Sequence, residues 1–340
     1  MRAPPSYLGY RIPAEWEKHE ATWISWPKDP GTFPGGLLLR VEAAYAELVR
    51  VLSQGEEVRV LVDDDTAESR ARSILTEAGD VTYHRIKTID VWVRDYAPIY
   101  VRGRGLAVTK WRFNAWGEKY EELKQDDESG SRIALSTGLK VFEPGMVLEG
   151  GSIDVDGEGT LITTEQCLLN PNRNPKFGRE GIERALAEYL GARRVVWLDS
   201  GIEGDDTDGH VDDVARFVAP EKVIVSVEPN PDDPNHAALD RNRLILEKSK
   251  DASGRRFELT TLPMPRRLET SDGRLPASHA NFYIGNSSVL VPTFGGDSDA
   301  EAVRIIGGLF PHKEVVGVDC RALVFGLGTL HCVTQQVPAL

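Results

Sequence analysis

The hydrophobic pattern of the chain switches between a period of two and a period near 3.6, repeatedly and in one order. Ser152 to Gln166 alternate around Asp156-Gly157-Glu158-Gly159, and an Asp-Gly pair between alternating runs predicts a hairpin. Ile182, Leu186 and Tyr189 follow at helical spacing within Arg179 to Tyr189, Gly191 supplies a stop, and Arg194 to Leu198 predicts a strand. The order recurs as hairpin Val214 to Val227, helix His236 to Lys248 and strand Phe257 to Leu262. It recurs again as hairpin Asn281 to Pro292, helix Asp299 to Leu309 and strand Glu314 to Val318. Upstream, Ala97 to Phe113 predicts another hairpin, turning at Gly103-Arg104-Gly105. Ala322 to Val333 would open a last unit, completed from the other end of the chain by strand Thr22 to Trp26, helix Leu37 to Leu52 and strand Glu57 to Val62.

Five such units would close into a ring with both chain ends in one blade, which leaves few free sheet edges. An open α+β sheet with the same order of elements fits the pattern equally well. No Pro/Ser/Gly linker divides residues 1–340, the richest breaker cluster being Glu228 to Asn235, so one domain is expected over the whole length.

With 340 residues and 41% hydrophobic content the chain can bury a large core, which excludes disordered and fibrous classes. Its 40 Lys and Arg against 53 Asp and Glu leave a net charge of -13, which argues against nucleic acid as a partner. Such acidity suits cationic ligands, or does no more than confer solubility. No stretch reaches the roughly 18 apolar residues of a membrane span and Met1 to Ile12 has no signal-peptide core, so a cytoplasmic protein without membrane contact is expected. Three cysteines, Cys167, Cys320 and Cys332, are too few for a disulfide scaffold and suit a reducing compartment.

The polar residues that stand out sit just before or at the opening strand of a hairpin: Asp90 and Asp95, Glu149, His210 and Asp212, and His279. If the units are pseudo-symmetric, these positions gather at one end of the ring. On a strand, His210 and Asp212 would share a face. Cys332, between Gly326 and Gln336, reads either as a small buried apolar residue or as a thiol nucleophile. Its neighbour His331 would face the opposite way on a strand, so a base must come from elsewhere, with His210 the best placed. Cys167 and Cys320 are assigned to structure. Trp92, Arg94 and Asp95 crowd an aromatic, a cation and a carboxylate together. The run Asp205, Asp206, Asp208, Asp212 and Asp213 lacks calcium-loop spacing, so no metal is expected. Walker, dinucleotide-binding, Gly-x-Ser-x-Gly and His-Glu-x-x-His motifs are absent.

Taken together, Pro13 to Pro27 (PAEWEKHEATWISWP), Asp90 to Pro98 (DVWVRDYAP), Phe113 to Tyr120 (FNAWGEKY), Leu148 to Asp156 (LEGGSIDVD), Gly204 to Phe217, Asn281 to Gly295 and Gly328 to Pro338 (GTLHCVTQQVP) resemble the agmatine deiminase family. Those enzymes are relatives of the bacterial peptidylarginine deiminases within the guanidine-modifying pentein superfamily. The resemblance implies an α/β pentein propeller, five ββαβ modules around a central active site. It also implies a nucleophile at Cys332, an acid/base at His210, guanidinium-binding carboxylates at Asp95 and Asp212, an active-site glutamate at Glu149 and an aromatic wall at Trp92. Asp208 departs from the family pattern, which has Asn or His before the glycine, and is expected to touch substrate preference.

A guanidinium is a poor electrophile that must be held and polarised, and paired carboxylates do this in bidentate geometry. The expected reaction is attack by Cys332, departure of ammonia with a proton from His210, and hydrolysis of a covalent thiouronium, with no cofactor and no metal. The partner is then a small cationic guanidine, agmatine first. Peptidylarginine or free arginine deimination, with Arg94 available as a clamp for a carboxylate, is the sister alternative. A non-catalytic guanidinium or polyamine binder and a metal-dependent hydrolase are the alternatives from other classes. Assembly into a homo-oligomer is left open.

Overall fold

Four of the repeats carry a helix that lays one apolar stripe between its own small sheet and the sheet before it. In helix Arg179–Leu190 the stripe is Ile182, Leu186 and Leu190, and Gly191 ends it at φ +75°, a conformation that a side chain resists. In helix Leu37–Leu52, Val41, Tyr45, Leu48 and Leu52 do the same work. Helix Pro234–Lys248 starts on Asp233, whose carboxylate accepts the Asn235 N–H. The hairpin at Asp156 is fixed by that side chain, which accepts the N–H groups of Glu158 and Thr160 at 2.7 and 2.8 Å.

The computed structural model describes residues 3–340. Five sheets repeat one topology: an antiparallel hairpin, a crossover helix, and a third strand parallel to the middle one. In chain order, blade 1 is Ile99–Arg102, Leu106–Thr109 and Lys140–Phe142. Blade 2 is Ile153–Val155, Thr160–Thr164 and Arg194–Leu198. Blade 3 is Ala215–Ala219, Lys222–Val227 and Glu258–Pro263, and blade 4 is Tyr283–Ile284, Ser288–Thr293 and Glu314–Asp319. Blade 5 joins the two ends of the chain: Gln335–Pro338 pairs antiparallel with His19–Ser25, followed by Glu57–Val62 and an added edge strand, Val81–Arg85.

The apolar clusters show that these blades form a ring. One cluster joins Val101 of blade 1 to Leu161 of blade 2, and a second joins Ile162 of blade 2 to Phe217 of blade 3. A third joins Ile224 of blade 3 to Val291 of blade 4, and the largest joins Leu290 of blade 4, Ile24 of blade 5 and Tyr100 of blade 1. The fold is the pentein type of propeller, and the open α+β alternative is excluded. No helix among the described residues is long and apolar enough to cross a membrane.

Short turns precede the first strand of every blade: Val93–Tyr96, Gly150–Ser152, Val211–Asp213, and residues 278–281 and 329–333. Two expectations fail here. Val211–Asp213 is a 3-10 turn, so His210 and Asp212 do not share a strand face. Ala322 to Val333 does not begin the last hairpin, because Leu323–Gly326 is a 3-10 turn and the Val333 N–H closes on the Thr329 carbonyl at 3.2 Å. The strand begins only at Gln335.

Candidate active site

Each pre-strand turn delivers polar groups to one buried centre. Turn Val93–Tyr96 supplies Asp95, whose Oδ1 accepts the Gly151 N–H at 3.0 Å and whose Oδ2 accepts the Trp116 indole N–H at 2.9 Å. The next turn approaches so closely that position 151 has no room for a side chain. A Cβ there would lie 2.6 Å from His210 Nδ1, 2.9 Å from Asp212 Oδ2 and 3.0 Å from Asp95 Oδ1. Those three groups, from two blades, therefore converge on one point. His210 Nδ1 is 3.9 Å from Asp95 Oδ1. From the fourth turn Asn281 donates its amide to Cys332 Sγ at 3.2 Å and to Asp213 Oδ1 at 3.1 Å. Cys332, from the fifth turn, has Asp212 Oδ2 3.8 Å from its sulfur.

A cavity of about 410 Å³ opens over this centre, with Cys332 and Asp95 in its wall. Trp92, Trp116, Tyr120 and Phe325 give it aromatic sides. Asp29, Asp90, Asp95, Glu122 and Asp206 line it, with no Lys or Arg among the lining residues. Trp92 fits because Gly326 and Gly328 lie against its ring, where a Cβ would come within 2.7 and 2.5 Å. Trp116 is presented by a strained segment: Ala115, Trp116, Gly117 and Glu118 all have positive φ, held by Asn114, whose side chain accepts the Gly117 N–H.

Burial dominates the electrostatics. It pushes the Asp95 carboxyl up to about 6, against the pull of His210 and with the help of Asp212 and Glu149. Burial also opposes a charge on His210, but Asp95, Cys167 and Asp212 outweigh it and the imidazole is held well above its ordinary value. The Cys332 thiol is pushed well up by burial and by Asp212, Asp213 and Asp95. Burial first, and the surrounding carboxylates after it, thus keep the thiol protonated.

Glu149, fully buried, accepts Arg173 Nε at 2.6 Å, and Arg173 Nη1 reaches Asp208 Oδ2 at 2.7 Å. Asp208 also takes Lys119 and Asn172, both at 2.8 Å, and does not line the cavity. Its place in the wall is taken by Asp206 and Thr207. Asp208, at φ +67°, therefore anchors a loop through Arg173; Asp212 and His210 likewise lie behind the residues that line the cavity. Arg94 is no clamp for a substrate carboxylate either: it is buried on the far side, bound to the His331 carbonyl, Gln336 and Glu15. His279 is not brought to the centre and instead bonds the Pro292 carbonyl at 3.0 Å. Cys167 and Cys320 are buried.

Metal binding has little to work with. In the acidic run Asp205 is spent on the backbone N–H groups of Thr207, Gly209 and His210, Asp206 on the Tyr120 hydroxyl, and Asp213 on Asn281. Glu149, Cys167 and His210 offer ligand atoms within 4.8 Å of one another, and Glu149 Oε2 and His210 Nε2 have no hydrogen-bond partner, but the Arg173 guanidinium on Glu149 Oε1 would repel a cation.

Sequence reasoning did not find Asn281, Trp116, Asp206, Arg173, Glu15 or the role of His331. Asn281, Trp116 and Glu15 all stand in the segments that carry the family resemblance, and their position there was the available signal.

Residues 11–338 match the profile of the Porphyromonas-type peptidyl-arginine deiminases. The agmatine deiminase of Stutzerimonas stutzeri is 37% identical over 100% of this chain and 98% of its own. Among solved structures, an agmatine deiminase of Enterococcus faecalis superposes with a TM-score of 0.93 at 33% identity, over 99% of this chain and 98% of its own. An agmatine deiminase of C. jejuni with substrate bound gives 0.87 at 29% identity, over 96% of each chain. An amidinotransferase of Microseira wollei, 12% identical with a TM-score of 0.55 over 96% of each chain, shares the fold.

Proposed function

The chain belongs to the Porphyromonas-type peptidyl-arginine deiminase family, and we propose that within it this protein is an agmatine deiminase, converting the guanidinium of agmatine to a ureido group with release of ammonia. One observation carries the choice of substrate: five carboxylates and no Lys or Arg line the cavity above Cys332. A ligand with a cation at each end and no carboxylate suits that wall. Free arginine would bring an anion into it with no partner, since Arg94 is committed elsewhere.

The guanidinium is held by Asp95 and Asp212, each able to accept two N–H donors. Asp95 is oriented by Gly151 and Trp116, and Asp212 keeps one buried oxygen, Oδ1, without a partner. Burial and the neighbouring carboxylates hold Cys332 protonated; the arriving cation offsets the carboxylates, so the thiol gives up its proton to solvent through the open cavity and the thiolate forms when substrate is present. Sγ bonds to the guanidinium carbon and gives a tetrahedral adduct, while the Asn281 amide steadies the sulfur. His210, charged beside Asp95, gives its proton to the departing nitrogen, and ammonia leaves a thiouronium on Cys332. Water then adds to that carbon and passes a proton to the neutral His210. Collapse of the second adduct breaks the C–S bond, returns the thiolate and frees the ureido product after loss of one proton. Glu149 and Arg173 hold the loop that carries His210, since Arg173 Nη2 binds the Thr207 carbonyl at 2.6 Å.

The test is incubation with agmatine, arginine and an arginyl peptide, measuring ammonia and ureido product. Turnover of agmatine well above the other two is expected; turnover of arginine without agmatine would overturn the assignment.

A further inference from the structure

Behind Asp212, away from the open cavity, lies a buried cluster of charges. His331 Nδ1 is 2.7 Å from Asp212 Oδ2, and its Nε2 is 2.8 Å from Glu15 Oε2. Glu15 Oε1 accepts Arg216 Nη2 at 2.8 Å and the Ile284 N–H at 2.9 Å. Arg216 also donates to Asp154, and Arg94 Nη2 stands 3.5 Å from Glu15 Oε2. All six side chains are largely or fully buried, and they come from distant parts of the chain.

An ionised carboxylate can only accept, so an imidazole that bridges two of them must donate from both nitrogens and carry a positive charge. The charge count agrees. Asp212, Glu15 and Asp154 face the guanidiniums of Arg94 and Arg216, and an imidazolium at His331 brings the cluster to neutrality.

We propose that His331 is a positioning residue for the reaction: clamped as an imidazolium between Asp212 and Glu15, it fixes Asp212 through Oδ2, leaves Oδ1 for the guanidinium, and supplies the positive charge that lets Cys332 ionise beside Asp212. This rests on Cys332 being the nucleophile. The charged groups that face His331 are Asp212, Glu15, Asp154, Arg94 and Arg216, with Cys332 next to it in sequence and His210 acting through Asp212. The field agrees in direction: burial would raise Asp212, but His331, His210 and Arg216 hold its carboxyl below the ordinary range.

The test uses His331→Gln, which keeps a hydrogen-bond donor but not the charge, with substrate-free alkylation of Cys332 by iodoacetamide followed against pH. Losing the cation leaves more negative charge near the sulfur, so the alkylation midpoint should rise by about one pH unit. In the same variant kcat should fall about 100-fold. A variant that folds and loses activity with an unshifted alkylation midpoint overturns the proposal.

Should the variant not fold, nitrogen-15 NMR of histidine-labelled wild-type protein reads the same claim. The imidazole perturbed by alkylation of Cys332 and joined to carboxylates should show both ring nitrogens protonated, as donation to two carboxylates requires. A neutral tautomer there overturns the proposal. Neither alkylation nor NMR needs turnover, so failure of the agmatine assignment would register separately, in the substrate panel.

Discussion

Toward the open cavity the centre presents Asp29, Asp90, Asp95, Glu122 and Asp206 with no Lys or Arg among the lining residues, whereas behind Asp212 the carboxylates of Glu15 and Asp154 each meet a guanidinium. Both regions use buried acids, and it takes several cations together to outweigh burial: Asp154, with Arg216 beside it, is still pushed up to about 6 by burial. Asp95, with only neutral N–H donors in hydrogen bond, is pushed up to about 6 by burial. Glu15 is buried as deeply, yet Arg216, His331 and Arg94 hold it well below the ordinary range. The front keeps an unmatched charge that only a cationic ligand can balance, and the back is balanced in advance so that it does not move.

The contrast breaks most completely at the sulfur. Cys332→Ala should lower agmatine turnover by about 10,000-fold or more while circular dichroism stays unchanged, since a small buried side chain is replaced by another. Next in size, Asp95→Asn should cost about 1,000-fold in kcat/KM. It should also erase a pH effect. Because burial raises this carboxyl to about 6, wild-type kcat/KM should fall as the pH drops through that value and the acid becomes neutral, and the Asn variant should lack that limb.

Arg173→Met attacks a balanced pair instead and leaves Glu149 buried and unpaired. Denaturant unfolding should show a loss of about 3–5 kcal/mol. Asp206→Asn removes one carboxylate from the open wall, so KM for agmatine should rise about tenfold with kcat nearly unchanged. Asp208→Asn should do least, changing kcat/KM by no more than about threefold, because its oxygens serve Lys119, Asn172 and Arg173 rather than the cavity. A large change in substrate preference for that variant would return Asp208 to the binding wall.

The hairpins of blades 1 to 4 were legible because alternation and turn residues are local signals, and each predicted strand there overlaps an observed one. Helix Asp126–Ser136 was not legible, since its buried face mixes Asp126, Ser129 and Gly130 with Ile133 and Ala134 and shows no clean apolar stripe. Helix Asp65–Ile74 buries only Ala71, and edge strand Val81–Arg85 has no fully buried position to mark it. In the site, the position of polar residues before each hairpin anticipated that Asp95, Glu149, His210 and Asp212 would gather. The same logic misjudged His279, where the neighbour Asn281 is the residue that reaches the sulfur. The strand argument that turns His331 away from the sulfur fails, because residues 329–333 form a turn, not a strand. What His331 does was invisible, because its partners Glu15 and Asp212 are remote in sequence and carry no periodic signature.

The blade that closes the ring carries a kinetic consequence. Its seam pairs Trp23 with Gln335 and Ala21 with Val337, so nearly the whole chain forms the loop that must close before those hydrogen bonds can be made. Such a long-range pairing forms late and opens early relative to the hairpins of the other blades. Cys332 stands just before that seam. Thermal inactivation should therefore begin by unzipping one strand while most of the secondary structure survives, so that the lifetime of activity is set by the seam rather than by the global melt.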